Sequence, residues 1–148
     1  MREFRKATAA DATAIGALYK ELVPNAPVHV LPERINDIAL DKNTYLVVCD
    51  DENNIVATAL VVLCGDVMFT RQPFAIIENV IVSHKFQRAG LGKQLMQHIE
   101  AFCLAKDCSK IMLLSGSDNH SAHNFYIAMG YNPNVKTGFV KYRRHFEN

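Results

Sequence analysis

The chain has 148 residues, a formal net charge of +1 and 49% hydrophobic residues, enough apolar material for one compact core and too much for a disordered chain. Its longest apolar stretch, Ile55–Cys64, is shorter than a membrane-spanning helix, and its charged N-terminus lacks the apolar segment of a secretory signal. We therefore expect a single domain over residues 1–148, located in the cytoplasm, with no membrane partner.

Charge and cysteine patterns argue against nucleic-acid binding and metal binding. The first 74 residues hold 7 Lys or Arg and 10 Asp or Glu. The last 74 residues hold 9 Lys or Arg and 5 Asp or Glu. This positive excess in the second half is too small for a nucleic-acid surface but suits a compact anionic ligand. The four cysteines form no C-x-x-C pair and have no histidine at zinc spacing, so we expect reduced thiols and no metal site.

The first half of the chain predicts a strand, two helices and a β-hairpin. Thr8 and Asp11 have the spacing of a helix N-cap and its third position, and apolar residues then recur at helical spacing until Pro24. The acidic and Asn-rich segment Asp50–Asn54 is typical of a tight turn. The other predicted elements are a strand at Glu3–Ala7, a helix at Glu33–Leu40, and strands at Thr44–Cys49 and Ile55–Cys64.

The second half predicts an alternation of strands and helices. Phe74–Ser83 is rich in Ile and Val, which predicts a strand buried on both faces. It is followed by a helix at Gly90–Lys106, a strand at Lys110–Leu114, a helix at Ser121–Met129 closed by Gly130, and a strand at Thr137–Arg143. The order predicts a mixed α/β fold in which the strands on either side of the Gly90–Lys106 helix are parallel.

The sharpest local signal lies at the entrance of the Gly90–Lys106 helix. Residues Gln87–Gly92 have the sequence Q-R-A-G-L-G. Two glycines two residues apart let a ligand approach the backbone, and the free N–H groups of a first helical turn bind anions. A pyrophosphate would fit there, with Arg88 and Lys93 beside it, although the glycines could equally only tighten a turn. The pattern is neither a Walker loop nor the dinucleotide-binding motif.

A second motif follows the next strand, where Asn119–Tyr131 has the pattern N-x-x-A-x-x-F-Y-x-x-x-G-Y. With Q-x-x-G-x-G after an apolar strand, it resembles the GNAT superfamily of N-acetyltransferases. The resemblance covers the whole chain, and its specific part is residues 76–131. It implies the GNAT acyl-CoA N-acyltransferase fold, a central mixed β-sheet flanked by helices. It also implies acetyl-CoA as co-substrate, an amine as acceptor and no metal.

The resemblance assigns residues that would bind the coenzyme. The Q-x-x-G-x-G turn would hold the pyrophosphate through backbone N–H groups. Main-chain groups in the preceding strand would pair with pantetheine, and one N–H there would polarise the thioester carbonyl. Asn119 would contact pantetheine, although an Asn before a helix is also an ordinary N-cap. The implied set is Val80, Ile81, Val82, Gln87, Arg88, Ala89, Gly90, Leu91, Gly92, Lys93, Asn119 and Tyr126.

Two residues fall at positions that are catalytic in the family. Tyr126 would protonate the departing thiolate, which a phenol can do at neutral pH; otherwise it is a core aromatic, for which its neighbour Phe125 is the better candidate. Glu78 would take the proton from the amine, and burial in its apolar strand would raise its pKa. Alternatively, Glu78 only forms a structural ion pair. The base would then be a water chain, His120 or His123.

The acceptor would lie between the segments Val23–Arg34 and Gly65–Pro73, whose side chains could line a pocket or face solvent. Our leading hypothesis is direct acetylation of a primary amine on a small molecule. The alternatives are a protein N-terminus or lysine as acceptor, and a catalytically inactive CoA-binding sensor. Because family members often dimerise near the C-terminus, Phe139–Phe146 is a candidate homodimer segment.

Overall fold

The structure, a computed structural model, describes residues 1–87 and 89–147. The chain divides into two compact units, Met1–Leu113 and Leu114–Asn148. The first unit holds β1 (Arg2–Lys6), α1 (Ala12–Leu22), α2 (Pro32–Leu40), β2 (Thr44–Asp51), β3 (Asn54–Cys64), β4 (Phe74–Val82), α3 (Leu91–Ala105) and β5 (Ile111–Leu113). The second holds α4 (His120–Ala128). Short 3-10 turns occupy Ala9–Asp11, His84–Phe86 and Arg143–His145.

The five strands form one sheet in the order β1-β2-β3-β4-β5. Neighbouring strands are antiparallel except β4 and β5, which are parallel, as the sequence predicts. The β2–β3 turn places Glu52 and Asn53 at φ of 51° and 69°, the left-handed pair typical of a tight hairpin. The mixed α/β fold class and the hairpin are therefore confirmed.

Helices cover both faces of this sheet. On one face, α1 packs on β3 and β4 and α2 packs on β2, and Ile15 and Ile35 join a buried cluster with Leu46 and Val48. Side chains alternate along a strand, so Tyr45 points to the opposite face, where it contacts His98 of α3. The described part of the chain contains no helix that is both long and apolar enough to cross a membrane.

An ion cluster joins the start of the chain to the hairpin. The Arg5 guanidinium donates to both carboxylate oxygens of Asp11, at 2.8 and 3.0 Å, and to Asp50 at 3.1 Å. Asp11 is buried and also accepts from the Thr8 backbone N–H at 2.8 Å, which confirms the predicted capping interaction. The hydrogen bond from Arg5 holds the pKa of Asp11 below its usual value.

Replacing Asp11 by Ala is expected to lower the free energy of unfolding by about 2 kcal/mol at pH 7, because it leaves Arg5 without its bidentate partner. The pKa of Asp11 is lowered in the folded protein, so its stabilisation is present above the unfolded Asp pKa of about 3.9 and lost as the pH falls further. The difference in the free energy of unfolding between the wild type and Asp11→Ala should therefore shrink when unfolding is measured at acidic pH. Asp37→Ala, at an exposed pair with Arg34, is the control; a deficit independent of pH would contradict the assignment.

The predicted final strand, Thr137–Arg143, is wrong. The backbone of residues 137–142 forms no strand, and Arg143–His145 is a 3-10 turn. Phe139 is 91% exposed, and Gly138 approaches Leu114 so closely that a Cβ on it would lie 2.6 Å from the leucine side chain. An alternating apolar segment forms a strand only where a partner strand completes the ladder. The described residues after Leu113 contain no strand.

Candidate active site

A β-bulge interrupts β4. Asn79 and Val80 of β4 lie opposite the single residue Ala59 of β3, because the register shifts at this point. Asn79 has a φ of 56°, a left-handed conformation within a strand. Such a bulge takes backbone groups out of the ladder and re-aims them. Val80, one of the predicted pantetheine contacts, therefore lies where the β3–β4 pairing is broken.

The other edge of β4 has no β5 partner beyond Ile77, its fourth residue. β5 pairs with Ala75, Ile76 and Ile77, and the register ends there. From Glu78 to Val82, β4 has no pairing residue on β5. An unpaired strand edge offers backbone donors and acceptors to an extended ligand. The predicted backbone contacts Val80, Ile81 and Val82 all lie in this stretch.

Glu78 is exposed, so the prediction that it is buried is wrong, as is the prediction that β4 is buried on both faces throughout. The residue pairs with Leu60 of β3, which packs against the cluster under α1 and α2. Glu78 thus belongs to the sheet face that α1 covers. At this position β4 has no β5 neighbour.

The turn after β4 has the features of an anion site. Gly90 adopts a φ of 76° as the N-cap of α3, and as a glycine it has no side chain with which to cap the helix. A Cβ on Gly90 would meet nothing within 4 Å, so its backbone conformation, and not a lack of space, favours glycine. The first-turn N–H groups of a helix have no partner within the helix and can bind an anion. The predicted residues Gln87, Ala89, Leu91, Gly92 and Lys93 belong to this segment, whereas Arg88 lies outside the described residues.

Glu21 of α1 fixes the end of β4, a role that the sequence pattern did not indicate. Its carboxylate accepts from the His84 backbone N–H at 2.9 Å and from the Ser83 hydroxyl at 3.4 Å. The Gln87 side chain donates to the Val82 carbonyl at 3.0 Å. Together these bonds tie the start of the turn to α1 and to β4.

In the second unit, Asn119 caps α4. Its Oδ1 accepts from the Ala122 backbone N–H at 3.1 Å, which confirms the N-cap interpretation. His123 Nε2 lies 2.7 Å from the Gly116 carbonyl oxygen. A carbonyl only accepts, so Nε2 must carry the proton. The described residues contain no group of three side chains that could hold a metal ion.

Tyr126 is half-buried on α4, with its ring 5.2 Å from Phe125 and 6.0 Å from Tyr131 between centroids. Phe125, predicted as the core residue of the pair, is half-buried as well. Burial raises the pKa of Tyr126, so its hydroxyl carries a proton throughout the neutral range. The chemistry of a proton donor is therefore available at this position.

Solved structures of acetyltransferases have the same fold. A protein of Agrobacterium tumefaciens assigned as an acetyltransferase is 26% identical, with a TM-score of 0.87 over 95% of this chain and 99% of its own. Glucosamine-6-phosphate N-acetyltransferase from Arabidopsis thaliana is 23% identical, with a TM-score of 0.80 over 97% and 99%. AAC(6')-Iy, in complex with the bisubstrate analogue CoA-S-monomethyl-acetylneamine, is 16% identical, with a TM-score of 0.79 over 97% and 99%.

No curated protein sequence matches the chain significantly. The model of the acetyltransferase (GNAT) family, in contrast, matches residues 14–131, most of the chain. That span includes the β4 bulge, the turn at Gly90 and Tyr126. The chain therefore belongs to the GNAT acetyltransferase family, whose members use acetyl-CoA.

Proposed function

We propose that residues 1–148 act as a single N-acetyltransferase domain, which transfers the acetyl group of acetyl-CoA to a primary amine of a small molecule by direct attack. The observation that carries the proposal is the stretch of β4 from Glu78 to Val82 that has no β5 partner, followed by a helix whose N-cap is a glycine. An extended chain with a pyrophosphate at one end, such as coenzyme A, fits this combination of an unpaired strand edge and an anion site.

The coenzyme supplies the activated acetyl thioester, and this chain holds it. Val80, Ile81 and Val82 pair with pantetheine through their backbones, and an N–H at the bulge polarises the thioester carbonyl. The pyrophosphate is held by backbone N–H groups of the turn Gln87–Gly92, with Arg88 and Lys93 supplying positive charge. Asn119 contacts pantetheine in addition to capping α4.

The reaction needs one proton donor and one proton acceptor. The amine nitrogen attacks the thioester carbon, and the carbon–sulfur bond then breaks to release the coenzyme thiolate. Tyr126 protonates that thiolate; burial raises the pKa of its phenol, so the hydroxyl carries its proton at neutral pH. Glu78 accepts the proton that the amine must lose, directly or through water. Its exposure on the α1 face leaves its carboxylate accessible for that task.

Replacing Glu78 by Gln is expected to lower the rate at pH 7 by about 10² or more, because an alkylamine with a pKa near 10.4 then lacks a base. Raising the pH should restore part of the activity, since the free amine becomes abundant. Steady-state rates from pH 6 to 10 measure this. Glu52→Gln, in the β2–β3 turn, is the matched control. A loss that is equal at every pH would remove Glu78 from the role of base.

The proposed acceptor is the amine of a small molecule. A small molecule is favoured because glucosamine-6-phosphate and aminoglycoside acetyltransferases have the same fold. Next to β4, the loop Gly65–Pro73 exposes Val67, Met68 and Phe69, held in a turn by the Asp66 carboxylate. A protein N-terminus or lysine is the second candidate acceptor. Free-thiol release with a panel of small amines and a panel of peptides separates the two.

We also propose that the protein forms a homodimer through Phe139–Phe146. The side chains of Phe139, Val140 and Tyr142 are more than half exposed, and the segment itself forms no strand. Such a run of exposed apolar side chains is unusual on a monomer. Sedimentation should give a dimer that Phe139→Asp dissociates, and a stable monomer at micromolar concentration would overturn this proposal.

A further inference from the structure

The backbone that leaves β4 is held at three N–H groups. The Ser83 N–H donates to the Val56 carbonyl of β3 at 2.9 Å, and the Phe86 N–H donates to the Ser83 carbonyl at 2.8 Å. Between them, the His84 N–H donates at 2.9 Å to the carboxylate of Glu21 on α1. The first two groups have backbone partners, which no substitution removes. The third depends on one side chain that another element supplies.

The Glu21 carboxylate contacts the turn through both of its oxygens. Oε1 accepts from the His84 N–H and lies 3.6 Å from Nε2 of the same residue, and Oε2 accepts from the Ser83 hydroxyl at 3.4 Å. The Glu21 side chain is only 29% exposed. Hydrogen bonds from a backbone N–H to a carboxylate are stronger than those between neutral groups. Glu21 therefore anchors the chain where it leaves the sheet.

The side chain of Gln87 extends this anchor to the turn before α3. Its Nε2 donates to the Val82 carbonyl at 3.0 Å and lies 3.4 Å from Nδ1 of His84. An amide nitrogen only donates, so Nδ1 accepts, and the proton of a neutral imidazole is then on Nε2, which faces Glu21. Glu21, His84 and Gln87 thus form one chain of contacts from α1 to the first residue of the turn.

We propose that Glu21 is a positioning residue for coenzyme binding: by holding the His84 backbone, it places the turn Gln87–Gly92 so that its N–H groups meet the pyrophosphate of acetyl-CoA. The proposal rests on the proposed function above. Glu21 acts through His84 and touches neither substrate. A negative charge repels a pyrophosphate, so the contribution of Glu21 comes from its hydrogen-bond-accepting oxygens and not from its charge.

The kinetic test compares two acetyl donors, acetyl-CoA and S-acetylpantetheine, which ends before the pyrophosphate. Glu21→Ala is expected to lower kcat/KM about 10-fold with acetyl-CoA and less than about twofold with S-acetylpantetheine. A loss of folded protein lowers both rates equally, so the ratio of the two values reports the turn alone. Glu21→Gln keeps an acceptor oxygen and should leave this ratio within about twofold of the wild type.

Glu100→Ala, on an exposed position of α3, is the matched control and should leave the ratio unchanged. Equal losses with both donors in Glu21→Ala, no loss with either, or a Glu21→Gln variant as impaired as Glu21→Ala would each overturn the proposal. If the wild type itself neither binds acetyl-CoA nor uses either donor, the proposed function fails, and the proposal for Glu21 fails with it.

A second readout does not depend on turnover. In the free protein, amide hydrogen exchange at His84 should be faster in Glu21→Ala than in the wild type, because the N–H loses its partner. Exchange at Ser83, whose N–H bonds to the β3 backbone, should change much less. Glu21→Gln and Glu100→Ala should both keep the wild-type rate at His84. Unchanged exchange at His84 in Glu21→Ala would overturn the proposal.

Discussion

Replacing Tyr126 by Phe is expected to lower kcat for acetyl transfer by about 10²–10⁴-fold, because the departing thiolate loses its proton donor. The substitution removes one hydroxyl and keeps the half-buried ring, whose neighbours are Phe125 and Tyr131. The affinity for acetyl-CoA should therefore change little. Stopped-flow detection of free thiol measures the rate, and calorimetry measures the affinity.

Tyr45→Phe is the matched control for this experiment. Burial raises the pKa of Tyr45 as it does that of Tyr126, and the Tyr45 hydroxyl bonds to His98 at 2.8 Å on the α3 face of the sheet. Its loss should cost about 1 kcal/mol of stability and leave kcat unchanged. If Tyr126→Phe kept the wild-type rate, Tyr126 would have no part in the mechanism, and another proton donor would be required.

Replacing Gly90 by Ala is expected to raise the Kd for acetyl-CoA about 5- to 30-fold. Its φ of 76° costs an L side chain about 1–2 kcal/mol, so the turn shifts away from the geometry that presents its N–H groups. No clash contributes, because the added Cβ has no neighbour within 4 Å. Calorimetric titration of the folded variant with acetyl-CoA measures the effect.

Asn53→Ala controls for the strain itself. Asn53 has a φ of 69° in the β2–β3 turn, so the variant introduces comparable strain without touching the turn before α3. We expect it to lower the melting temperature and leave the affinity for acetyl-CoA unchanged. Equal losses of affinity in the two variants would indicate general destabilisation and argue against a pyrophosphate site at Gly90.

Local chemistry made several features predictable from the sequence. The capping interaction of Thr8 with Asp11 and the N-cap at Asn119 involve residues three positions apart, so their spacing indicates them directly. The β2–β3 turn is similarly local, because Asn tolerates the left-handed conformation that the hairpin needs. The parallel pairing of β4 and β5 was predictable because a helix separates the two strands in the sequence.

The features that sequence did not predict depend on distant parts of the chain. Glu78 is exposed although its strand is apolar, and the cover that distant elements give a strand residue is not visible from the residues around it. The bulge at Asn79 is a property of the β3–β4 register, which depends on residues of another strand. The segment Thr137–Arg143 has the composition of a strand but lacks a partner.

The proposed function requires that this chain binds acetyl-CoA and passes its acetyl group to an amine. The most direct measurement is calorimetric titration of the full chain with acetyl-CoA, followed by addition of the amine panel with detection of free thiol. We expect one coenzyme bound per chain, weakened in Gly90→Ala, and thiol release that depends on the amine. A folded protein that binds no acetyl-CoA would contradict the account, and binding without amine-dependent thiol release would instead favour a CoA-binding sensor.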